Sequence, residues 1–380
     1  MRVPVIVSAL VVAVVGLSAQ AQQNPYVGRW NITGTGPDTG KVYFLEVKQN
    51  GDKLEGLFLD RGGHATPVSW IKVENGELQW QYGGGGETLP KPACGPLYHA
   101  KLEGGKLIGH HETPGDPCPQ AQRGARAGGA GGGANAAAPA AAAPAPAPAA
   151  APTAPKAPPP PHTVNWVGVR QPVWPPSNAN GKHTYGKPVV IVGPGAGKEV
   201  WTGLTPDSGQ TACEDRWTMA DGVMKNETPK PGERSTCNPF TKEKFRDFKI
   251  DAEFNLDQGQ NSGLYIRGRY ELQLMLQTPG RSMVSSYPGQ LMDIYGWKRA
   301  DVYAGNPPGE WQILDAVVVG NHITATLNGK KVHDNAVLPA FTGGALDNDE
   351  LAPGPIMIQG DHSRVSFRKL VITPITKAGM

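Results

Sequence analysis

The stretch from Asn261 to Gln277 reads N-S-G-L-Y-I-R-G-R-Y-E-L-Q-L-M-L-Q, and its side chains alternate with a period of two. Such alternation predicts a half-buried β-strand rather than a helix. One face is apolar or aromatic: Leu264, Ile266, Tyr270, Leu272, Leu274 and Leu276. The other face is a row of mostly polar side chains: Tyr265, Arg267, Arg269, Glu271, Gln273, Met275 and Gln277. This second face is either a functional surface or a solvated outer face with cross-strand ion pairs.

The N-terminal residues are typical of a targeting segment rather than of a folded domain. Arg2 precedes an apolar run that ends in Ser18-Ala19-Gln20-Ala21, the small-residue pattern of a signal-peptidase site. The run is too short for a comfortable membrane span, and no later segment is apolar enough to form one. We therefore expect residues 1–21 to be removed and the mature chain to be periplasmic or secreted, without a membrane span.

Changes in sequence pattern divide the rest of the chain. Residues 22–119 contain short alternating segments separated by turn signals such as Asn75-Gly76, which predicts an antiparallel meander curled into a small barrel or sandwich. Residues 120–161 are rich in Gly, Ala and Pro and cannot bury a core, so we expect a disordered linker between two domains. Residues 162–188 predict an extended strap, and residues 189–375 predict further strands with long connections. The expected fold class is all-β, with a C-terminal jelly-roll sandwich.

The four cysteines and the net charge limit the choice of partners. Cys94 and Cys118 lie in the first half of the chain, and Cys213 and Cys237 lie in the second. In an oxidising compartment the simplest pairing is one disulfide per domain, Cys94–Cys118 and Cys213–Cys237. A zinc site is the alternative, although no pair has C-x-x-C spacing. The net charge of +3 gives no reason to expect a nucleic-acid partner.

Six phrases of the second half occur in an order that resembles a known family. They are W-T-M-A-D-G-V-M (217–224), F-R-D-F-K-I-D-A-E-F (245–254), N-S-G-L-Y-I-R-G-R-Y-E-L-Q (261–273), P-P-G-E-W (307–311), T-L-N-G-K-K-V (326–332), and I-Q-G-D-H with V-S-F-R-K-L (358–362 and 365–370). Together they resemble the 3-keto-disaccharide hydrolase domain family over about residues 189–374. The resemblance implies a concanavalin-like sandwich that acts on glycosides with a ketone at carbon 3.

The chemistry implied by this resemblance needs a base and a donor for an oxyanion. A 3-keto group acidifies the hydrogen on carbon 2, so a base can form an enolate that expels the group on carbon 1, after which water adds to the double bond. At the matching positions Glu271 is the expected base and Arg267 the expected cation for the enolate oxygen. His362 is the alternative base or acid, because its ordinary pKa of about 6.5 suits proton transfer near neutrality.

The resemblance also implies residues that hold the substrate: Gln273, Tyr295, Asn261, Gln359 and Asp361. It leaves room for a divalent metal, for which Glu271 and His362 are the candidate ligands, although two ligands are too few to predict a metal site. Where the family has an acid after the Y-E-x-Q pattern, this chain has Leu276, and Asp293 could supply the missing carboxylate. The alternative function is therefore a non-catalytic carbohydrate-binding protein of the same fold.

Overall fold

The computed structural model describes residues 24–81, 95–113, 162–204, 216–226, 238–276 and 288–379. These residues form β-strands and two short 3₁₀ turns, Gly36–Asp38 and Lys198–Val200. Within the described ranges, no helix has the length and apolar character needed to cross a membrane. The expected all-β fold class is confirmed.

Nine antiparallel strands form an N-terminal sheet that we call the barrel: β1 (Gly28–Gly34), β2 (Val42–Asn50), β3 (Lys53–Asp60), β4 (Thr66–Pro67), β5 (Trp70–Glu74), β6 (Glu77–Gln81), β7 (Leu97–Glu103), β8 (Lys106–Thr113) and β9 (His162–Arg170). Their spatial order is β4-β3-β2-β1-β9-β8-β7-β6-β5. The two edge strands, β4 and β5, are neighbours in the chain, so the sheet must curl until its edges approach. Alternate side chains point inward to a core that includes Trp30, Phe58, Trp80, Tyr98 and Trp166. The predicted curled meander is confirmed.

The ninth strand corrects the predicted domain boundaries. Thr113 at the end of β8 lies opposite His162 at the start of β9, and β9 also pairs with β1. The strands on the two sides of residues 114–161 therefore belong to one sheet, whereas a boundary between barrel and sandwich was expected there. The linker predicted at 120–161 lies outside the described residues. The strap predicted from residue 162 is wrong as far as Arg170, because Val164 and Trp166 alternate into the barrel core.

The remaining strands form a sandwich: β10 (Thr184–Tyr185), β11 (Val189–Val192), β12 (Trp201–Thr202), β13 (Trp217–Ala220), β14 (Val223–Asn226), β15 (Phe240–Thr241), β16 (Phe248–Asn255), β17 (Asn261–Ile266), β18 (Tyr270–Met275), β19 (Trp311–Val319), β20 (His322–Leu327), β21 (Lys330–Val337), β22 (Met357–Ile358) and β23 (Ser366–Lys377). The larger sheet has the order β13-β14-β23-β16-β19-β20-β21, with β10 and β11 paired to β23. The smaller sheet has the order β12-β15-β22-β17-β18. In both sheets, many strands that are neighbours in space are far apart in the chain, as in a jelly-roll sandwich.

The core between the two sheets explains why these segments form strands. Phe248, Ile250, Ala252 and Phe254 alternate along β16 and are completely buried. Each large apolar side chain buried in this way contributes about 1.5–3 kcal/mol to the free energy of unfolding.

Residues 171–188 run over this sandwich as a strap, and the Ser177 hydroxyl lies 2.8 Å from His322 Nδ1.

The stretch from Asn261 to Gln277 is a hairpin rather than the single strand predicted. Ile266 pairs with Tyr270, and Arg267 and Gly268 between them have φ of 54° and 66°, the left-handed geometry of a tight turn. Three residues connect the two strands. Because this number is odd, residues that alternation assigns to one face also pair across the hairpin, so Tyr265 and Glu271 still share one face. The predicted faces therefore survive in both strands, but not in the turn.

An apolar cluster joins the barrel to the sandwich. Val42, Phe44 and Leu59 of the barrel pack against Ala340 and Phe341 of the sandwich. The Phe44 and Phe341 rings meet edge to face with centroids 6.2 Å apart, a favoured aromatic geometry. The two parts therefore share a core at their boundary instead of being held apart by a spacer.

A buried carboxyl reinforces this boundary. Glu350 is completely buried, and its Oε1 accepts hydrogen bonds from Asn31 Nδ2 at 2.8 Å and Gln171 Nε2 at 3.0 Å. Its Oε2 accepts from Tyr270 Oη at 2.7 Å. One side chain thus satisfies donors from the barrel, the strap and the β17–β18 hairpin.

We expect Glu350→Ala to lower the free energy of unfolding by about 3 kcal/mol, because it leaves buried donors without an acceptor. Urea denaturation measures this change. Glu310→Ala, at an exposed position, is the control and should shift stability by no more than about 0.5 kcal/mol. Equal stability of the two variants would contradict a shared interface.

Candidate active site

Three strands of the smaller sheet bring the predicted polar residues onto one face. Tyr265 on β17 lies opposite Glu271 on β18, and Gly263 lies opposite Gln273. The next strand, β22, continues this register, because the Gln359 N–H donates to the Gly263 carbonyl at 2.9 Å. Since alternate side chains share a face of the pleat, the row predicted from the sequence is present in the sheet.

The Glu271 carboxyl lies deep in this row, across the backbone of Gly263. A Cβ atom at position 263 would lie only 2.3 Å from Glu271 Oε1, so only glycine leaves room for the carboxyl. The Glu271 side chain is 3% exposed. Burial raises the pKa of Glu271 to about 8, against the opposing influence of the Tyr265 hydrogen bond and the positive charge of His362.

Tyr265 holds one oxygen of that carboxyl. Tyr265 Oη lies 2.9 Å from Glu271 Oε2 and 2.8 Å from the Gly343 carbonyl oxygen. Burial raises the pKa of Tyr265 well above its ordinary value, so the phenol stays neutral with one proton. It can donate that proton to an ionised Glu271, or donate to Gly343 while accepting from a protonated Glu271. The pair therefore accommodates both protonation states of the carboxyl.

Gln273 holds the other oxygen when its amide nitrogen faces Glu271. In that orientation Nε2 donates to Glu271 Oε1 at 2.9 Å and to the Ser262 carbonyl at 3.1 Å. The orientation is assigned from the hydrogen-bond network, because the amide nitrogen then meets two acceptors, Glu271 Oε1 and the Ser262 carbonyl oxygen. With a donor on each oxygen, the carboxyl is held in one orientation.

A His–Asp pair lies on the solvent side of Glu271. His362 Nδ1 is 2.8 Å from Asp361 Oδ1, and this hydrogen bond raises the pKa of His362. The negative charge of Glu271 acts in the same direction, whereas burial opposes it. Because His362 and Asp361 in turn influence the pKa of Glu271, the three groups lie within electrostatic reach of one another. The side chains of His362 and Asp361 are 50% and 32% exposed, so this pair lies nearer to solvent than the buried Glu271.

Gln359 and Asn261 extend the polar row. The Gln359 side-chain oxygen is buried and has no hydrogen-bond partner among the described residues. Buried polar atoms rarely lack a partner, so this acceptor suits a hydroxyl group of a bound sugar. The Asn261 amide lies 3.2 Å from that of Gln273, which places it at the end of the same row.

Tyr295 borders the row next to β18. Its N–H donates to the Glu271 carbonyl at 3.0 Å, and its side chain lies within electrostatic reach of Tyr265. The loop before it is organised by Asp293, whose carboxyl accepts the N–H groups of Gly289, Gln290 and Ala300 at 2.8–2.9 Å. The idea that Asp293 replaces a missing catalytic carboxylate is therefore wrong, because both of its oxygens hold the loop.

Arg267 is not on the functional face, which corrects its expected role at the enolate. Its guanidinium is completely buried, donates to the carbonyls of Arg246 at 3.0 Å and Gly320 at 2.7 Å, and lies over the Tyr270 ring. Tyr270 points to the core, opposite to its neighbour Glu271. The left-handed turn redirects Arg267, so this residue fixes the hairpin rather than meeting substrate.

Leu276 also lies on the core side. It is 2% exposed and belongs to the hydrophobic core of the sandwich. The replacement of the family's acid at this position therefore takes no carboxyl away from the row around Glu271. It removes one reason for treating the chain as a non-catalytic binder.

The residues of the row do not fit a metal centre. Among the described residues, no group of three or more His, Cys, Asp or Glu side chains comes together as metal ligands. Asp361 is occupied by His362, and Glu271 already has two donors. The metal ligation expected from Glu271 and His362 is thus not supported. The four cysteines and their expected disulfides lie outside the described residues.

The model of the 3-keto-alpha-glucoside-1,2-lyase-like domain family matches residues 195–373. The family match identifies the sandwich as a carbohydrate-processing domain. The resemblance inferred for about residues 189–374 is therefore confirmed, and the barrel lies outside the match.

Several solved structures are similar to the chain. One from Parabacteroides distasonis, described as a candidate glycosyl hydrolase, is 23% identical, with 54% of this chain and 92% of that chain covered and a TM-score of 0.40. A second candidate glycosyl hydrolase from that organism is 22% identical over 50% and 100% of the two chains, with a TM-score of 0.36. A non-specific endo-beta-1,3(4)-glucanase of family GH16 is 10% identical over 54% and 96%, with a TM-score of 0.32. No curated protein sequence matches the chain significantly.

Proposed function

We propose that the sandwich cleaves glycosides that carry a ketone at carbon 3, by elimination followed by hydration. The observation that carries this proposal is the buried Glu271 carboxyl, because its pKa of about 8 gives it the basicity to take a carbon-bound proton near neutral pH. The family of residues 195–373 supports the substrate class.

In the first step Glu271 takes the hydrogen from carbon 2, and the electron pair of that bond moves toward the 3-keto oxygen. The His362 imidazolium, kept protonated by Asp361, is the cation placed to donate to the resulting enolate oxygen, in the role expected of Arg267. The polar groups of Gln273, Gln359 and Asn261 bind sugar hydroxyls.

In the second step the enolate returns its electrons, the bond between carbon 1 and the leaving oxygen breaks, and water protonates the departing group. The hydroxide left by that water then adds its oxygen to carbon 1 of the new double bond, and protonated Glu271 returns its proton to carbon 2. The net reaction is hydrolysis. Tyr265 follows each change in the charge of Glu271 by moving its own proton between two acceptors.

The proposal is tested by offering the protein a 3-keto-glucoside with a chromogenic aglycone, with the unoxidised glucoside as the matched control. We expect release from the ketone alone, because only the ketone acidifies the hydrogen on carbon 2. Absence of release, or equal release from both glucosides, would contradict it. Saturable binding without release would instead favour the non-catalytic carbohydrate-binding protein.

We expect His362→Ala to lower kcat by about 10²-fold and to change the shape of the pH profile. In the wild type, activity requires Glu271 ionised and His362 protonated, which gives a bell-shaped profile. Without the imidazolium, Glu271 loses the positive charge that lowers its pKa, so a single rising limb at or above pH 8 should remain.

The pH dependence of kcat/KM measures this change. His110→Ala, in strand β8 of the barrel, is the control and should keep the bell. A bell-shaped profile retained by His362→Ala would contradict the role given to His362.

We further propose that the protein acts outside the cytoplasm. The support is the apolar run after Arg2 and its ending in Ser18-Ala19-Gln20-Ala21. Fractionation of cells that express the full chain tests this, with N-terminal sequencing of the product. A chain in the cytoplasm that still begins at Met1 would contradict it.

A further inference from the structure

The loop that joins β3 to β4, residues 61–65, rests on the sandwich beside the row of Glu271; we call it the barrel loop. The Gly344 N–H donates to the Arg61 carbonyl at 2.9 Å. A Cβ atom at Gly343 would lie 2.1 Å from the Gly63 carbonyl oxygen, and one at Gly296 would lie 2.5 Å from His64 Cβ. The backbones meet too closely for any larger residue at 343 or 296.

The sandwich residues that receive this loop belong to the site itself. Gly343 is the residue whose carbonyl oxygen accepts from Tyr265, and Tyr265 contacts Glu271. Gly296 directly follows Tyr295, and the His64 and Tyr295 rings meet edge to face with centroids 6.3 Å apart at 90°. His64 of the barrel thus lies on the tyrosine that borders the row.

Neighbouring contacts hold the barrel loop in place. Trp297, next to Gly296, packs edge to face on Phe44 of the barrel with ring centroids 5.5 Å apart. Its indole N–H donates to the Phe341 carbonyl at 3.1 Å. The segment of Tyr295 to Trp297 therefore contacts the site on one side and the apolar cluster between barrel and sandwich on the other, and His64 packs on this segment.

We propose that the barrel loop forms one wall of the sugar site and that His64 contacts the bound 3-keto-glycoside together with Tyr295. An imidazole beside a phenol offers a ring face for the C–H groups of a sugar and ring nitrogens for its hydroxyls. The inference rests on the proposed function for the identity of the sugar. It gives the barrel a part in substrate recognition that the family match does not cover.

The test is substrate affinity with and without the His64 ring. Relative to wild type, His64→Ala should raise KM about tenfold for the chromogenic 3-keto-glucoside and leave kcat within about twofold, since one polar contact made equally before and during the reaction is lost. In a Glu271→Gln background, calorimetry should show the same roughly tenfold loss of affinity for that 3-keto-glucoside. His110→Ala, also in the barrel, should change neither quantity.

A second variant separates contact with substrate from support of Tyr295. His64→Phe keeps a ring against Tyr295 but has no nitrogen, so its affinity for the 3-keto-glucoside should stay below that of the wild type. Full recovery of affinity by phenylalanine would overturn the hydrogen bond from His64 to the substrate. Turnover and binding unchanged in His64→Ala would overturn the inference and leave the proposed function standing. If the wild type binds the 3-keto-glucoside without cleaving it and His64→Ala weakens that binding, the barrel loop is supported as a wall of the sugar site. The proposed cleavage is then refuted.

Discussion

Replacing Glu271 by glutamine is expected to lower kcat/KM for a 3-keto-glucoside by about 10³-fold, the effect of removing a general base. The amide has the same shape, so Tyr265 and the close approach to Gly263 are retained. It cannot take a proton from carbon 2. Affinity for the substrate should change much less than kcat, because Gln359, Asn261 and His362 still bind it.

Single-turnover rates and calorimetric affinity measured on the same preparation separate these two quantities. Glu310→Gln, an exposed carboxyl outside the site, is the matched control and should behave as wild type. Turnover that survives Glu271→Gln within a factor of a few would contradict the assignment of the base.

The second large effect concerns stability and needs no substrate. Burial raises the pKa of Glu271 from 4.5 to about 8, and each pKa unit corresponds to about 1.4 kcal/mol. Below pH 4.5 the carboxyl is protonated in both the folded and the unfolded chain, so its ionisation does not lower the free energy of unfolding. As the pH rises from 4.5 to 8, the unfolded carboxyl ionises while the folded one stays neutral, so the wild type loses several kcal/mol of unfolding free energy.

Glu271→Gln has no titrating group at this position and should not lose that free energy. The two proteins should therefore differ little at pH 4 and by about 3–5 kcal/mol in favour of the variant at pH 9. Urea denaturation across this range measures the difference, with Glu310→Gln as the control. Parallel stability curves for the variant and the wild type would contradict a buried, neutral Glu271.

Local periodicity is enough to predict the faces of the site strands. The alternation from Asn261 onward places Tyr265, Glu271 and Gln273 on one face, because a pleated strand leaves its side chains little freedom of direction. The contact between Tyr265 and Glu271 is not predicted in this way, although the same alternation puts both residues in the row. It arises only when β17 and β18 pair, and no local pattern specifies that pairing.

The turn at Arg267 escapes prediction because its signal is weak. Gly268 is the one residue between Ile266 and Tyr270 that marks a turn, and Arg267 at φ 54° is an uncommon conformation for an arginine. The turn contains an odd number of residues, so the alternation of side chains is in step on its two sides. A single strand and a hairpin would therefore show the same alternation in the sequence. The two predictions differ in the direction of the side chains within the turn, and for Arg267 that difference changes its role.

The pairing of strands that are distant in the chain is the part of the fold that composition does not predict. The Gly, Ala and Pro segment suggests a boundary between domains, yet β8 and β9 on its two sides are paired neighbours. The buried carboxyl of Glu350 and the contact of His64 with Tyr295 depend on how two sheets pack, which no local pattern encodes. The residues that unite the barrel and the site could therefore be found only from the structure.

The most direct test of elimination at carbon 2 is cleavage of a 3-keto-glucoside in D₂O by the wild type. The mechanism predicts one deuterium on carbon 2 of the released sugar, because that carbon loses its hydrogen to Glu271 and regains one from a group that exchanges with solvent. Glu271→Gln, run in parallel, corrects for exchange without the base. Rapid cleavage with the original hydrogen retained on carbon 2 would contradict the mechanism.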